Sequence, residues 1–124
     1  WELGKAHPIL GVGLGNFQNS FAKLTQDWTN FSDFIIPEAL TPHNIFLMFW
    51  LSLGILGIIG FVWLLVVFFY IGYKSFKNDW SKILMAAMAA LLLQGLVDTA
   101  YFKNDLCLIF WLIFAFMMLV GASE

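Results

Sequence analysis

Residues 45–124 alternate long apolar stretches with short charged ones, and this pattern predicts the architecture. The first stretch, residues 45–73, contains no Asp, Glu, Lys, Arg or His. Crossing a bilayer takes roughly 18 to 20 apolar residues, so this stretch predicts a transmembrane helix rather than a soluble core helix. The second, residues 83–102, holds Gln94 and Asp98. The third, residues 106–122, is barely long enough at about 1.5 Å per residue to cover about 30 Å of hydrocarbon. Three helices follow, at about 43–73, 83–102 and 106–122. Their connections at 74–82 and 103–105 are short, so neighbours should be antiparallel and adjacent. The first helix would be about 43 Å long and must tilt or protrude. Gly54, Gly57 and Gly60 recur at every third position and predict close approach of a neighbouring helix.

Residues 1–42 are polar, turn-rich and aromatic. Phe17, Phe21 and Leu24, at i, i+4 and i+7, predict a short helix over 16–24 that lies on the membrane surface or caps the bundle. Residues 28–40 read as loop. The glycine-rich run at 8–17 is neither a Walker motif nor a dinucleotide fingerprint, because no Gly-Lys-Ser/Thr follows and no strand precedes it; it predicts a turn leading into the short helix. The expected fold is an all-α integral membrane protein, with three transmembrane helices (43–124) preceded by the end of an external loop (1–42) that carries a short surface helix.

Composition supports the membrane assignment. The chain is 61% hydrophobic, 19% aromatic and only 11% charged, far from the soluble globular range. Lys74, Lys77 and Lys82 outweigh Asp79 in the first connection, whereas the second holds only Lys103 against Asp105, so residues 74–82 should be cytoplasmic and residues 1–44 external. A secretory signal is excluded by the absence of a basic n-region and by the internal position of the apolar stretch. A start at Trp1 suggests a piece of a longer protein. A net charge of −2 with no basic stripe excludes nucleic-acid binding. One cysteine, Cys107, allows no internal disulfide. His7, His43, Cys107 and the scattered carboxylates lack metal-ligand spacing.

Two residues carry candidate chemistry. Thr41 as N-cap and Pro42 as first helical residue would place His43 in the first turn of the long helix. The positive field there disfavours imidazolium, so His43 should stay neutral and able to accept a proton beside an end that attracts phosphate. An interfacial anchor among headgroups is the equally weighted alternative for His43. Asp98 is an acid within an apolar helix, costly unless it faces a polar cavity or a partner. It is expected at the depth of His43, sharing a face with Gln94 and Tyr101. Asp98 would orient His43, position a substrate hydroxyl, or pair with Lys103 to stay buried.

Taken in order, these elements resemble the carboxy-terminal portion of the O-antigen ligase and polymerase family of bacterial membrane glycosyltransferases. The matching pieces are Pro8-Ile-Leu-Gly-Val-Gly-Leu-Gly-Asn-Phe17, then Pro42-His-Asn-Ile-Phe-Leu47 and Leu53-Gly-Ile-Leu-Gly57, and last Gln94-Gly-Leu-Val-Asp98 with Tyr101-Phe-Lys-Asn-Asp-Leu106. The resemblance implies a fragment of a polytopic, GT-C-like helical bundle in the bacterial inner membrane. It implies transfer of a glycan from a polyprenyl-diphosphate carrier such as undecaprenyl diphosphate to a hydroxyl acceptor (glycolipid, glycan or protein) on the external face, with no cofactor. In this frame His43 and Asp98 are catalytic, and Asn44, Gln94, Tyr101 and Lys103 contact substrate. The family's diphosphate-holding arginines are missing, because the chain contains no arginine, so the fragment should be inactive alone. Ligase, polymerase and protein O-oligosaccharyltransferase share these motifs. A carrier or flippase for lipid-linked glycans and a non-catalytic scaffold are the alternatives outside the transferase class.

Overall fold

A computed structural model describes residues 2–25, 42–98 and 104–123. They form five helices: α1 (Glu2–Ala6), α2 (Phe17–Thr25), α3 (Ile45–Lys74), α4 (Asp79–Gly95) and α5 (Asn104–Ala122). No strand occurs among the described residues, in agreement with the all-α expectation. Helices α3, α4 and α5 pack against one another, and α1 contacts both α2 and α3. The expected loop at 28–40 lies outside the described residues.

The principal core is aromatic and thioether-rich. Phe68, Met88 and Met117 are fully buried where α3, α4 and α5 meet, and Phe61 stacks on Phe49 at 4.3 Å between ring centres. Glycines let the three helices approach: a Cβ on Gly72 would lie 2.7 Å from Met85, one on Gly95 would lie 3.0 Å from Ile45, and one on Gly121 would collide with Ile71. At the α3–α4 connection the buried Ser81 hydroxyl donates to the Gly72 carbonyl at 2.8 Å, which satisfies a polar group in an apolar contact. Beside it Lys82 donates to Asp79 at 2.7 Å, and this bond with the lysine charge holds the exposed Asp79 carboxyl below its ordinary range.

The helix boundaries differ from expectation at instructive places. Asn78 caps α4 through Trp80 N–H, so Asp79 and Lys82, expected in the connection, lie in its first turn, while Lys74 ends α3. Helix α4 ends at Gly95, not at 102; the chain then tightens, with Leu96 N–H donating to Leu93 O and Val97 N–H to Gln94 O. At 17 residues α4 is about 25 Å long. Among the described residues only the 30-residue α3 is long and apolar enough to cross a membrane. Three packed apolar helices are therefore present, while among the described residues one complete span is shown. Exposed Trp63, Val66, Leu112 and Leu119 leave α3 and α5 with apolar outer surfaces, as hydrocarbon or further helices would require.

The excess length of α3 is resolved by a break. Gly54 adopts φ 67°, ψ −160°, which interrupts the helical ladder and is open only to glycine. Residues 55–74 alone would be about 30 Å long, the thickness of the hydrocarbon layer. Among the described residues the stripe at Gly54, Gly57 and Gly60 makes no helix–helix contact: a Cβ on Gly57 would meet Leu53 of its own helix, and one on Gly60 would meet nothing within 4 Å.

The glycine-rich run fills the break. Val12 N–H donates to Leu51 O at 2.8 Å, Gly13 N–H to Ser52 O at 2.9 Å, and Ile55 N–H to Pro8 O at 3.0 Å. These bonds take up carbonyl and amide groups that the interrupted ladder leaves without helical partners. The short helix is present as α2, with Phe17 and Phe21 stacked at 5.7 Å, while the Leu24 side chain lies outside the described residues. Phe17 joins Leu3, Met48 and Leu51 in a second core. Of the two expected positions for α2, the structure supports packing on the bundle.

Candidate functional site

The N-terminus of α3 is built from one asparagine rather than from Thr41 and Pro42. Asn44 is the N-cap, its Oδ1 accepting from Leu47 N–H at 3.0 Å. His43 has φ 24°, incompatible with a helix, so it precedes the cap instead of occupying the first turn. Thr41 lies outside the described residues. His43 thus lies one residue before the cap rather than inside the first turn.

Asn44 also reaches across the bundle. Its Nδ2 donates to Leu96 O at 3.1 Å, in the turn that follows α4. Two residues on, Asp98 N–H donates to Gln94 O at 3.0 Å, which fixes the main chain of Asp98. Through this tie the Asp98 carboxylate approaches the imidazole, with Oδ1 3.9 Å from His43 Nδ1. That separation is an electrostatic approach, about 1 Å longer than a hydrogen bond. The His43 side chain is 81% exposed and that of Asp98 24%, so a presented imidazole is backed by a sheltered carboxylate. With Nδ1 turned to Asp98, the opposite ring nitrogen, Nε2, faces away from it. Such a pair can present Nε2 as a base and balance the charge that a captured proton creates.

The structure thus brings together His43, Asn44 and Asp98, three of the sequence candidates. Gln94 lies in the last turn of α4 with an exposed side chain, and its carbonyl rather than its amide is the group tied to Asp98. Asp98 lies in the turn beyond α4, not inside a helix, because the helix ends at Gly95. Tyr101 and Lys103 lie outside the described residues, and with them the alternative pairing of Asp98 with Lys103. Among the described residues no group of His, Cys, Asp and Glu is arranged to hold a metal. The capping role of Asn44 was missed from sequence, although an asparagine immediately before the apolar run at Ile45 was its signal.

Comparison with known proteins agrees with the resemblance. A model of the O-antigen ligase family matches residues 1–62, which include the glycine-rich run, His43, Asn44 and the break at Gly54. The chain is 35% identical over 66 residues to an O-antigen ligase from Salmonella typhimurium strain LT2, a match covering 52% of this chain and 16% of that protein. It therefore spans only a small part of that relative's length. No solved structure matches the chain. The family match and the shared sequence agree on one conclusion: the chain belongs to the O-antigen ligase family.

Proposed function

We propose that the protein containing this chain moves a glycan from a polyprenyl-diphosphate carrier to an acceptor hydroxyl on the external face of the bacterial inner membrane, and that His43 is its general base. The observation that carries this reading is the 3.9 Å approach of Asp98 to His43 Nδ1 beside the cap of α3. In the step proposed, Nε2 takes the acceptor O–H proton as that oxygen bonds to the anomeric carbon, and the bond from this carbon to the phosphate oxygen breaks with its electrons on diphosphate. Asp98 holds the ring and offsets the imidazolium charge. Asn44, Gln94, Tyr101 and Lys103 would contact substrate. The chain contains no arginine, so any arginine that holds diphosphate belongs to other parts of the protein.

The test is whether purified complete protein forms a new glycosidic bond between a labelled polyprenyl-diphosphate glycan and an acceptor extract. One observation favours a second reading, a carrier: helices broken within the membrane are common at transport sites. A carrier would move the lipid-linked glycan across vesicles without forming product, so the same assay separates the two.

The proposed arrangement has three spans, with residues 1–44 external and residues 74–82 cytoplasmic. In a complete protein with all native cysteines, Cys107 among them, replaced by serine, Lys77→Cys should react with a membrane-impermeant maleimide only after the inner membrane is opened. A cysteine at Lys23 should react in intact spheroplasts. The reverse pattern would overturn the orientation.

A further inference from the structure

We propose that the glycine-rich segment at residues 8–13 is a wedge that holds α3 broken at Gly54, and that Gly11 and Gly54 are thereby positioning residues for His43. The functional half of this inference rests on the transfer reading above; the structural half does not.

The contact is reciprocal and made by main chain on both sides. A Cβ on Gly54 would overlap the carbonyl of Ile9 and lie 2.6 Å from Leu10 N, while a Cβ on Gly11 would lie 2.5 Å from the Ser52 carbonyl carbon and 2.6 Å from Leu53 N. Both residues also have φ of +67°. Neither obstruction is the end of a flexible side chain, so neither can be relieved by a rotamer change. The three hydrogen bonds from Val12, Gly13 and Ile55 close the contact. Ser52 lies fully buried at the join.

The consequence concerns what the break carries. Residues 45–53 form a short helical piece, fixed at one end by the wedge and at the other by the Asn44 tie to Leu96. Met48 and Leu51 of this piece bury against Leu3 and Phe17, on the helices α1 and α2 that flank the wedge. Ile45 and Phe49 bury against the α3–α5 core. His43 adjoins the free end. If α3 ran straight through residue 54, the direction of this piece would change, and His43 would leave the position in which Asp98 reaches it.

Gly15 supplies an internal control, because it has φ +78° but nothing within 4 Å of a Cβ. A Gly15→Ala change meets the same left-handed backbone penalty as Gly11→Ala without the collision. The experiment is amide hydrogen exchange on the complete protein in lipid nanodiscs, paired with transfer kinetics. In Gly54→Ala the amides of residues 11–13, some forty positions away, should exchange about tenfold faster or more. Gly15→Ala should leave residues 11–13 as protected as wild type. Gly11→Ala changes no residue of α3, and so covers the case of a Gly54 variant that fails to insert. Both Gly54→Ala and Gly11→Ala should lower kcat with little change in donor KM, and the double variant should be scarcely worse than either single one, because both break one contact. Unchanged exchange at 11–13 in Gly54→Ala would overturn the wedge. Faster exchange with wild-type kcat would overturn the positioning role. The exchange result needs no turnover, so a protein that forms no glycosidic bond fails the transfer reading and leaves the wedge standing.

Discussion

Alanine at position 43 of the complete protein is expected to lower glycan transfer by about 10²- to 10⁴-fold, the range for loss of a general base. Three features make this a test of chemistry rather than of folding. The side chain is 81% exposed, so its removal leaves no cavity. Alanine must adopt the same φ of 24°, so the backbone strain is carried over rather than introduced. The α3 cap comes from Asn44, whose bonds to Leu47 and Leu96 do not involve the imidazole. Stability should therefore change by no more than about 0.5 kcal/mol. Turnover of purified wild type and His43→Ala with the labelled donor, alongside their thermal unfolding, gives the answer. Equal turnover would return His43 to the interfacial-anchor reading. A loss of turnover with unchanged unfolding would establish it at the reacting centre.

How much of this was legible in the sequence depended on whether the determining contact is local. Helix α3 was visible because residues 45–73 lack charge, and α2 because Phe17 and Phe21 are one turn apart. The end of α4 at Gly95 was not visible, since apolar residues continue on either side and the approach of Ile45, fifty positions away, is what uses that glycine. The break at Gly54 was hidden for a related reason. A helix apolar on every face shows no change of period when it is interrupted, and the groups that fill the break come from residues 8–13. The turn expected for the glycine-rich run was the right kind of structure, but its partner is non-local. The site shows the same division: His43 and Asp98 were singled out by residue type and expected depth, whereas the link between them runs through Asn44 and the Leu96 carbonyl, a long-range bond with only a local capping signal.

That link sets the expectation for the acid. Asp98→Asn in the complete protein should lower transfer by about 10- to 100-fold, by analogy with loss of the partner that orients a metal-bound histidine, while membrane insertion is retained. The substitution is nearly isosteric, and the Asp98 amide bond to Gln94 O is main chain, so the turn should stay in place. What is lost is charge. At about 4 Å and an effective dielectric of about 20, a carboxylate and an imidazolium attract by about 4 kcal/mol, and the partial exposure of both groups reduces this substantially. The attraction is largest when the imidazole holds the acceptor's proton, so its loss should appear in kcat more than in donor KM. Because Asp98 is proposed to act through His43, Asp98→Asn added to His43→Ala should cost almost nothing further. A full additional loss in that background would mean that Asp98 meets substrate directly. Failure of Asp98→Asn to accumulate would point to a structural ion pair, with Lys103 as its expected partner. A kcat loss seen only when His43 is present would make the two side chains, far apart in the sequence, one proton-accepting unit.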